Sequence, residues 1–297
     1  MNKKILIILF AALVCVAFVL GIVIFVVSVG QSHNSPTTPT EEPYATPEQA
    51  TEQPTEEPSF TEEPTTTPEP GPLAGLIIGI DPGHQRMANN DKEPCAPWDA
   101  SKNSQINNQT MKTKTASGTS GKFTHVDEYV AVLDISLKIK AHLEALGATV
   151  VMTRETADVN LSNIDRAEIC NNANCHVALR IHCNGADNPA VKGVEAWVRG
   201  NGDGSDEYKA LGAYEKKLAE GLLTYFVEAT GAAKRNVNTS DNYTGLNWST
   251  VPSIIVECGF MSNEEEDNLL VSPDYQEKIA KGVADWATAF AVTLRSR

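Results

Sequence analysis

The sequence predicts an α/β fold, a single domain with a mainly parallel sheet flanked by helices. From residue 73 onward, short apolar runs of strand length alternate with longer helical patterns. Three of these runs are followed by a residue that can bind a metal or carry a proton: His84 after the turn Asp81-Pro82-Gly83, and His182 and Glu257 directly. The carboxyl ends of parallel strands meet at one edge of an open sheet, where ligands bind. The sequence therefore predicts one convergent site at that edge.

The chain divides into three segments of unlike composition. Residues 1–30 are apolar, residues 31–72 are of low complexity, and the 225 residues of 73–297 suit one globular domain with a substantial core. The net charge is -14, and nine of the acidic residues lie between Glu41 and Glu69. The globular segment keeps 22 basic and 29 acidic residues. This balance predicts no nucleic-acid partner, since such proteins usually carry a basic stripe.

The N-terminal segment has the properties of a membrane anchor. Ile5 to Val29 are 25 residues without a charge, and Lys3 and Lys4 precede them. This length is sufficient for a helix that crosses a bilayer, and the lysines predict a cytoplasmic N-terminus. A cleaved signal peptide is the alternative, but its apolar core usually has about 7–15 residues. We therefore expect a single-pass anchor in the cell membrane within residues 1–30.

The second segment has the composition of a linker. Residues 31–72 hold ten Pro, ten Thr and nine Glu, and few apolar side chains. Such a segment cannot bury a core, so it is expected to be disordered and extended. At polyproline spacing it would reach on the order of 100 Å. It would therefore hold the domain outside the cell, away from the membrane.

The globular segment contains four clear strand patterns and four helix patterns. A weaker alternation at Gly193–Val198 suggests an edge strand, and the polar residues 85–121 are expected to form a long loop. The predicted strands are Leu76–Ile80, Ala148–Thr153, His176–His182 and Ser253–Cys258. The predicted helices run from a Thr124 N-cap to Gly147, over Leu161–Asn172, from Asp206 to Thr230 between Ser205 and Gly231, and from Ser272-Pro273 onward. Their expected buried stripes are Val126, Val130, Leu133 and Leu137 on the first helix, and Ile279, Val283, Trp286, Phe290 and Leu294 on the last.

His84, Glu128 and His182 are the candidate metal ligands. Two imidazoles and one carboxylate suit a catalytic zinc ion and leave a fourth position open. Each residue also has a simpler explanation, because Glu128 would favour the N-terminus of its helix and either histidine alone could be a core residue. The convergence of the strand ends favours the metal site over these explanations.

Glu257 is the candidate for proton transfer. It lies between apolar neighbours such as Val256, and burial there would raise the pKa of its carboxyl group. A carboxylate of raised pKa suits a general base. The alternative is a structural carboxylate paired with Arg154, Arg166 or Arg180.

The globular segment resembles the zinc-dependent N-acetylmuramoyl-L-alanine amidases, which are cell-wall hydrolases with an αβα fold. The resemblance covers nearly all of residues 73–297 and depends on six motifs that occur in order. These motifs are Ile80–His84, Glu128 followed by Leu133 and Leu137, Val151–Thr156, Ser162-Asn163 with Arg166-Ala167, Arg180–Gly185 and Pro252–Asn263.

The resemblance implies a function for the candidate residues. It implies that His84, Glu128 and His182 bind one Zn2+ ion and that Glu257 is the catalytic carboxylate. The implied substrate is peptidoglycan, cut between N-acetylmuramic acid and L-alanine during cell-wall remodelling or lysis. Residues 245–248 look like the substrate-side loop of the family.

Two other functions stay open, and two features depart from the family. A zinc peptidase that cuts within the stem peptide would use similar ligands. A non-catalytic wall-binding module is disfavoured by the complete set of four site residues. The departures are the long 85–121 segment and Val132, where many relatives have Asn. The sequence identifies no protein activator.

Overall fold

The computed structural model of this protein describes residues 70–97, 110–201 and 205–296. These residues belong to one compact unit. The predicted anchor in residues 1–30 lies outside the described residues, as does nearly all of the predicted linker. No helix in the part of the chain that the structure describes is long and apolar enough to cross a membrane.

Six of the described strands form one mixed, mainly parallel sheet. The strands in chain order are β1 (Ile77–Pro82), β2 (Asn89–Pro94), β3 (Met111–Thr115), β4 (Thr149–Met152), β5 (Val177–Asn184), β6 (Val194–Val198), β7 (Lys234–Thr239) and β8 (Ser253–Phe260). The large sheet has the order β4-β1-β5-β8-β6-β7, and β2 and β3 form a separate small sheet. Within the large sheet only β6 and β8 pair antiparallel. The mainly parallel sheet and its alternation with helices along the chain confirm the predicted α/β fold class.

Helices cover both faces of the large sheet. They are α1 (Glu128–Ala145), α2 (Asn163–Asn172), α3 (Asp206–Thr230), α4 (Thr244–Asn247), α5 (Glu264–Leu270) and α6 (Pro273–Arg295). Helix α6 packs between α1 and α3, and these three helices enclose the main hydrophobic core against one face. Helices α2 and α4 contact each other on the opposite side of the sheet, over a smaller apolar cluster.

The alternation of side chains along the central strands separates the core from the site. Leu179 and Ile181 of β5 are fully buried in the main core. Because successive side chains of a strand point to opposite faces, Arg180 and His182 point away from that core. The strand thus delivers polar residues to the face that α2 and α4 leave partly open.

The long helix α3 has the ends that the sequence predicts. The Ser205 side chain accepts a hydrogen bond from the backbone N–H of Tyr208 at 3.2 Å. Gly231 follows the helix in the left-handed conformation, with φ of 75°. Both signals are local, which explains why the sequence alone locates them.

The predicted start and buried face of α1 are wrong. The N-cap is Asp127, and the Thr124 hydroxyl instead donates a hydrogen bond to Asp267 at 2.7 Å. The face that packs on the sheet comprises Ala131, Val132, Ile135, Ile139 and Leu143, whereas Val130 and Leu137 are exposed. Both sets have helical spacing, so periodicity alone did not distinguish them.

Two further predictions differ from the structure: the edge position of residues 193–198 and the loop at residues 85–121. Strand β6 is not at the edge of the sheet, because β7 lies beyond it. Strand β7 was missed since its residues, Lys-Arg-Asn-Val-Asn-Thr, are mostly polar and show no apolar alternation. The segment 85–121 is not only a loop, because it contains β2 and β3.

Candidate metal centre

His84 lies on a strained turn that two arginines hold. It follows β1 by two residues and has φ of 59°, which is uncommon outside glycine. The Arg154 guanidinium donates to the carbonyl oxygens of Pro82 at 2.9 Å and Gly83 at 2.8 Å. The Arg166 guanidinium donates to those of Pro82 at 2.8 Å and His84 at 2.7 Å. These bonds fix three successive carbonyl groups, so the surroundings maintain the strained conformation.

Asp81 anchors this arrangement from the end of β1. Its carboxylate is buried, accepts hydrogen bonds from Thr153 at 2.5 Å and Arg166 at 2.8 Å, and lies 3.0 Å from Nη2 of Arg180. Burial raises the pKa of Asp81, but the charges of Arg180 and Arg166 outweigh burial and hold the pKa well below its usual range. Asp81 is therefore ionised at neutral pH.

Glu128 is the first residue of α1 and is held by backbone groups. Its Oε2 accepts a hydrogen bond from the Thr119 N–H at 2.9 Å, and its Oε1 accepts one from the Cys183 N–H at 3.1 Å. Gly118 has φ of 83°, and a Cβ atom there would lie 2.7 Å from Oε2 of Glu128. The loop before α1 thus fits closely around the carboxylate.

The structure brings His84, Glu128 and His182 together. Oε1 of Glu128 lies 3.2 Å from Nε2 of His84 and 3.1 Å from Nδ1 of His182. The two imidazole rings are nearly perpendicular, with centroids 4.9 Å apart. One potential ligand atom from each residue lies within 4.8 Å of the others, and among the described residues no other group of three such side chains meets this criterion.

The hydrogen bonds and charges in the cluster suit a cation. Nδ1 of His84 donates to the Ala116 carbonyl oxygen at 2.8 Å, which leaves Nε2 to face Glu128. Burial raises the pKa of Glu128, but the hydrogen bonds and charges of His182 and His84 outweigh it and hold the pKa well below its usual range. Burial lowers the pKa of His84, yet Glu128 raises it overall, whereas burial dominates at His182 and lowers the pKa there.

The two separations at Glu128 are compatible with a tetrahedral metal site. Nitrogen and oxygen ligands about 2.0–2.2 Å from zinc lie roughly 3.3–3.5 Å from each other in tetrahedral geometry. The separations of 3.2 and 3.1 Å at Oε1 of Glu128 are close to that value. Two imidazoles and one carboxylate also match the donor set of catalytic zinc sites.

Glu257 lies beside this cluster on β8. It is in register with His182 of β5 on one side and with Glu195 of β6 on the other. Its Oε2 atom is shielded from solvent and accepts no hydrogen bond from any described residue. Burial raises the pKa of Glu257 well above its usual range, and the charges of Glu128 and Glu195 add to this effect.

The alternative that Glu257 pairs with an arginine is wrong. Arg166 and Arg180 form ion pairs with Asp81, and Arg154 donates to backbone carbonyl groups. Glu257 therefore has no cationic side chain as a partner in the described part of the chain. Its carboxyl group is available to a ligand in the cleft.

Glu195 is a site residue that the sequence analysis missed. Its carboxylate accepts hydrogen bonds from Asn184 at 2.9 Å, from Trp197 at 3.3 Å and from Arg235 at 2.8 Å. It is buried next to Glu257 in the sheet. An acidic residue within the alternating run 193–198 was the available signal.

The cluster and Glu257 open into a cleft of about 490 Å³. Its walls come from the small sheet, from α2 and α4, and from the loop before α1. The residues that line the cleft include Lys112, Thr115, Asn163, Arg180, Tyr243 and Gly245.

Strand β2 and the residue after it attach the small sheet to α2 and to residues 247–248. Glu93 of β2 is buried and accepts hydrogen bonds from the first backbone N–H groups of α2. Trp248 donates to the Pro94 carbonyl oxygen at 3.0 Å, and Asn247 donates to that of Cys95 at 2.9 Å. Of the predicted substrate-side loop, Gly245 therefore lines the cleft, while Asn247 and Trp248 hold the small sheet.

The fold and the site define a class of α/β proteins in which three potential metal ligands lie beside a separate carboxylate at the carboxyl edge of the sheet. A family model described as N-acetylmuramoyl-L-alanine amidase matches residues 78–288, well over half of the chain. The chain therefore belongs to the N-acetylmuramoyl-L-alanine amidase family. The resemblance and the prediction of an enzyme of this family are confirmed.

Individual relatives show similarity at modest identity. N-acetylmuramoyl-L-alanine amidase LytC of Bacillus subtilis is 28% identical over 158 residues, which are 53% of this chain but only 30% of LytC. The germination-specific N-acetylmuramoyl-L-alanine amidase of the same organism is 23% identical over 228 residues, 71% of this chain and 78% of the relative. The amidase Rv3717 of Mycobacterium tuberculosis is 27% identical over 75% of this chain and 90% of its own length.

The fold recurs in solved structures. The N-acetylmuramyl-L-alanine amidase Ami1 from Mycobacterium smegmatis superposes with a TM-score of 0.63 at 23% identity, over 74% of this chain and 99% of Ami1. The amidase from Clostridium difficile 630 gives a TM-score of 0.57 at 24% identity, over 75% of this chain and 98% of that one. At these identities the likeness concerns the fold.

Proposed function

We propose that this protein hydrolyses the amide bond between N-acetylmuramic acid and L-alanine in peptidoglycan with the help of one Zn2+ ion. The observation that carries the proposal is the single carboxylate oxygen of Glu128 that lies 3.2 and 3.1 Å from nitrogen atoms of His84 and His182, at a cleft that Glu257 also lines. Membership of the amidase family supports the bond that is cut.

His84, Glu128 and His182 would hold the ion. A bound Zn2+ ion supplies Lewis acidity that polarises the carbonyl group of the scissile amide. The strained turn at His84 and the backbone hydrogen bonds to Glu128 keep these ligands in place before the ion binds. Such preorganisation favours binding because little ordering remains to be done.

Glu257 acts as the general base and then as the general acid. Its carboxylate takes a proton from the attacking water as the oxygen adds to the amide carbonyl carbon. It then returns the proton to the leaving nitrogen of L-alanine as the C–N bond breaks. The products are a glycan strand with a free lactyl carboxylate and a stem peptide with a free amino terminus.

The same proposal includes a place in the cell. Residues 1–30 anchor the chain in the cell membrane with the N-terminus in the cytoplasm, and residues 31–72 form an extended linker. This arrangement is supported by the 25 uncharged residues from Ile5 and by the Pro, Thr and Glu content of the linker. The catalytic domain then faces the cell wall.

A digest of purified peptidoglycan tests the function. The full chain is incubated with peptidoglycan, with and without removal of metal by a chelator, and the new ends are identified by mass spectrometry. We expect stem peptides with a free N-terminal L-alanine, lost on chelation and restored by Zn2+. New ends inside the stem peptide would identify a zinc peptidase instead, and an absence of cleavage in all conditions would favour a wall-binding module.

The variant Glu257→Gln separates catalysis from metal binding in the same assay. The amide has the same shape but takes no proton, so we expect turnover to fall about 10²–10⁴-fold while zinc content is unchanged. Glu264→Gln, a substitution of an exposed carboxylate on α5, is the matched control and should retain full activity. Full activity of Glu257→Gln would exclude Glu257 as the base.

A further inference from the structure

Arg154, Arg166 and Arg180 lie behind the candidate metal ligands and make different contacts. Arg154 and Arg166 direct their guanidinium groups to backbone carbonyl oxygens of the turn that carries His84. Arg180 makes an ion pair with Asp81 and one long hydrogen bond to Asn163, both through Nη2. Within the described residues, Nη1 and Nε of Arg180 donate no hydrogen bond, although the side chain is only 6% exposed. Arg180 therefore retains free donors.

The Arg180 side chain contributes to the lining of the cleft. Arg180 is among the residues that line it, and its guanidinium lies directly against Gly245 of α4. A Cβ atom at Gly245 would overlap the guanidinium, so this glycine leaves the room that Arg180 occupies. The cleft thus has a planar, charged group in its floor.

The charge of Arg180 is only partly neutralised. Asp81 contributes one carboxylate, and it is shared between Arg180 and Arg166. Lys112 of β3 also lines the cleft, and its ammonium group forms no ion pair with any described residue. The acidic groups that line the cleft are Glu128, which belongs to the metal cluster, and Glu257. Arg180 and Lys112 therefore place two positively charged side chains on the cleft.

The position of Arg180 sets the distance from the reacting bond. Arg180 and His182 are two residues apart on β5 and point to the same side of the sheet, so their Cα atoms lie about 6.6 Å apart. A peptide advances at most about 3.3–3.6 Å per residue. A group one or two residues from the amide at the candidate metal site matches the separation of these two strand positions.

We infer that Arg180 forms an anion subsite that binds a carboxylate of the stem peptide, on the residue that follows L-alanine. Nη1 and Nε lie on different edges of the guanidinium, so either can donate a single charge-assisted hydrogen bond to a carboxylate. The inference rests on the proposed function, since it assumes that the peptide side of the substrate occupies this part of the cleft. It makes Arg180 a specificity residue for acidic over amidated stem peptides.

Binding of a small peptide tests the subsite without hydrolysis. The probes are L-alanyl-D-glutamate and its diamide, which lacks both side-chain and terminal carboxylates. Their affinities for the zinc-loaded full chain are measured by titration calorimetry at low salt. We expect the acidic peptide to bind about tenfold more tightly, as for a hydrogen bond to a charged group. Equal affinities for the wild-type chain would overturn the inference without any variant.

Substitutions assign the preference to Arg180. Arg180→Gln should reduce the preference to within about twofold, and Arg180→Lys should restore part of it, because charge without the planar fork still attracts a carboxylate. Lys216→Met removes an exposed positive charge from α3, outside the cleft, and should leave the preference unchanged. A preference that survives in folded Arg180→Gln would overturn the inference.

Hydrolysis separates this inference from the proposed function. The corresponding muramoyl peptides, with glutamate or its diamide after L-alanine, are offered as substrates to the wild-type chain. Cleavage of both at equal rates and affinities would overturn the subsite and leave the amidase intact. Failure to cleave either one would count against the amidase, while the peptide-binding result would still decide the subsite.

Discussion

Asp81 is the counter-charge of Arg166 and Arg180, two buried arginines behind the candidate metal ligands. Arg166 and Arg180 both pair with it, and Arg166 in turn holds the carbonyl groups next to His84. Removing one partner from a buried ion pair costs more than the pair contributes, because the remaining charge is left buried and uncompensated. The turn at His84 therefore depends on a residue that contacts no ligand itself.

The variant Asp81→Asn tests this dependence. We expect it to lower the free energy of unfolding at pH 7 by about 3–5 kcal/mol, because two arginines lose their counter-charge. Chemical denaturation measures the change. Asp285→Asn, which breaks an exposed ion pair with Lys281, is the control and should cost less than about 1 kcal/mol. Equal losses in the two variants would contradict the role of Asp81.

The pH dependence of stability provides a second test of Asp81, because its pKa shift predicts the direction in which the free energy of unfolding changes. The pKa of Asp81 is lower in the folded chain than its ordinary value of 3.8. Such a group stabilises the fold at pH values above its unfolded pKa, and this contribution is lost as the pH falls through the folded pKa. Below about pH 4 the wild-type chain should therefore lose a stabilising contribution that Asp81→Asn lacks. The two unfolding free energies should approach each other in acid.

The sequence identified the residues that converge but not those that hold them. His84, His182 and Glu257 follow apolar runs, and the carboxyl ends of parallel strands meet at one edge of the sheet. Asp81 and Arg166 are 85 positions apart, and nothing local indicates which buried charges pair. A charged residue inside or just after an apolar strand, as at Asp81 and Arg180, was the signal for this network.

At the level of elements, the predictions succeeded where the determining contacts are local. The predicted cap Ser205 accepts a hydrogen bond from the backbone N–H of Tyr208, three residues away. The loop before α1 is different, because Asp267 binds the backbone N–H groups of Phe123 and Thr124 from a helix 143 residues further along. A side chain that distant overrides the local capping pattern at Thr124.

The loop before α1 holds the Glu128 carboxylate in position, and a substitution of Gly118 tests this role. Gly118→Ala would place a Cβ atom 2.7 Å from Oε2 of Glu128 and 2.9 Å from His84. We expect Zn2+ affinity to fall at least about tenfold, the range seen when groups that orient metal ligands are changed. Competition with a fluorescent chelator measures the affinity.

Gly75→Ala is the matched control for Gly118→Ala. Both glycines have φ of 83°, so alanine costs about 1 kcal/mol of backbone strain at either position. The Cβ atom at residue 75 meets no atom within 4 Å, so the two variants share the strain but not the contact. We expect similar stability losses and a loss of zinc affinity only at residue 118. A similar loss of affinity in both variants would assign the effect to strain.

For the molecule as a whole, composition predicted the segments and the motifs predicted the family. The family model covers residues 78–288, within the globular segment that the sequence delimits. The small sheet of β2 and β3 was not predicted, because its residues are polar and its support comes from α2 and Trp248. Residues from the 112–119 part of this segment line the cleft and so contribute to the proposed substrate site.

The proposed anchor and linker make different contributions, and deletions of equal length separate them. Removal of residues 5–29 should release the chain from the membrane fraction, since the 25 uncharged residues are lost, while digestion of isolated peptidoglycan is unchanged.

Removal of residues 36–60, also 25 residues, should leave the chain in the membrane but shorten its reach by roughly 75 Å at polyproline spacing. The second variant should therefore digest isolated peptidoglycan normally and release less peptide from the wall of intact cells. Fractionation and mass spectrometry of released peptides measure both effects. An N-terminus near residue 30 in the mature wild-type chain would instead indicate a cleaved signal peptide.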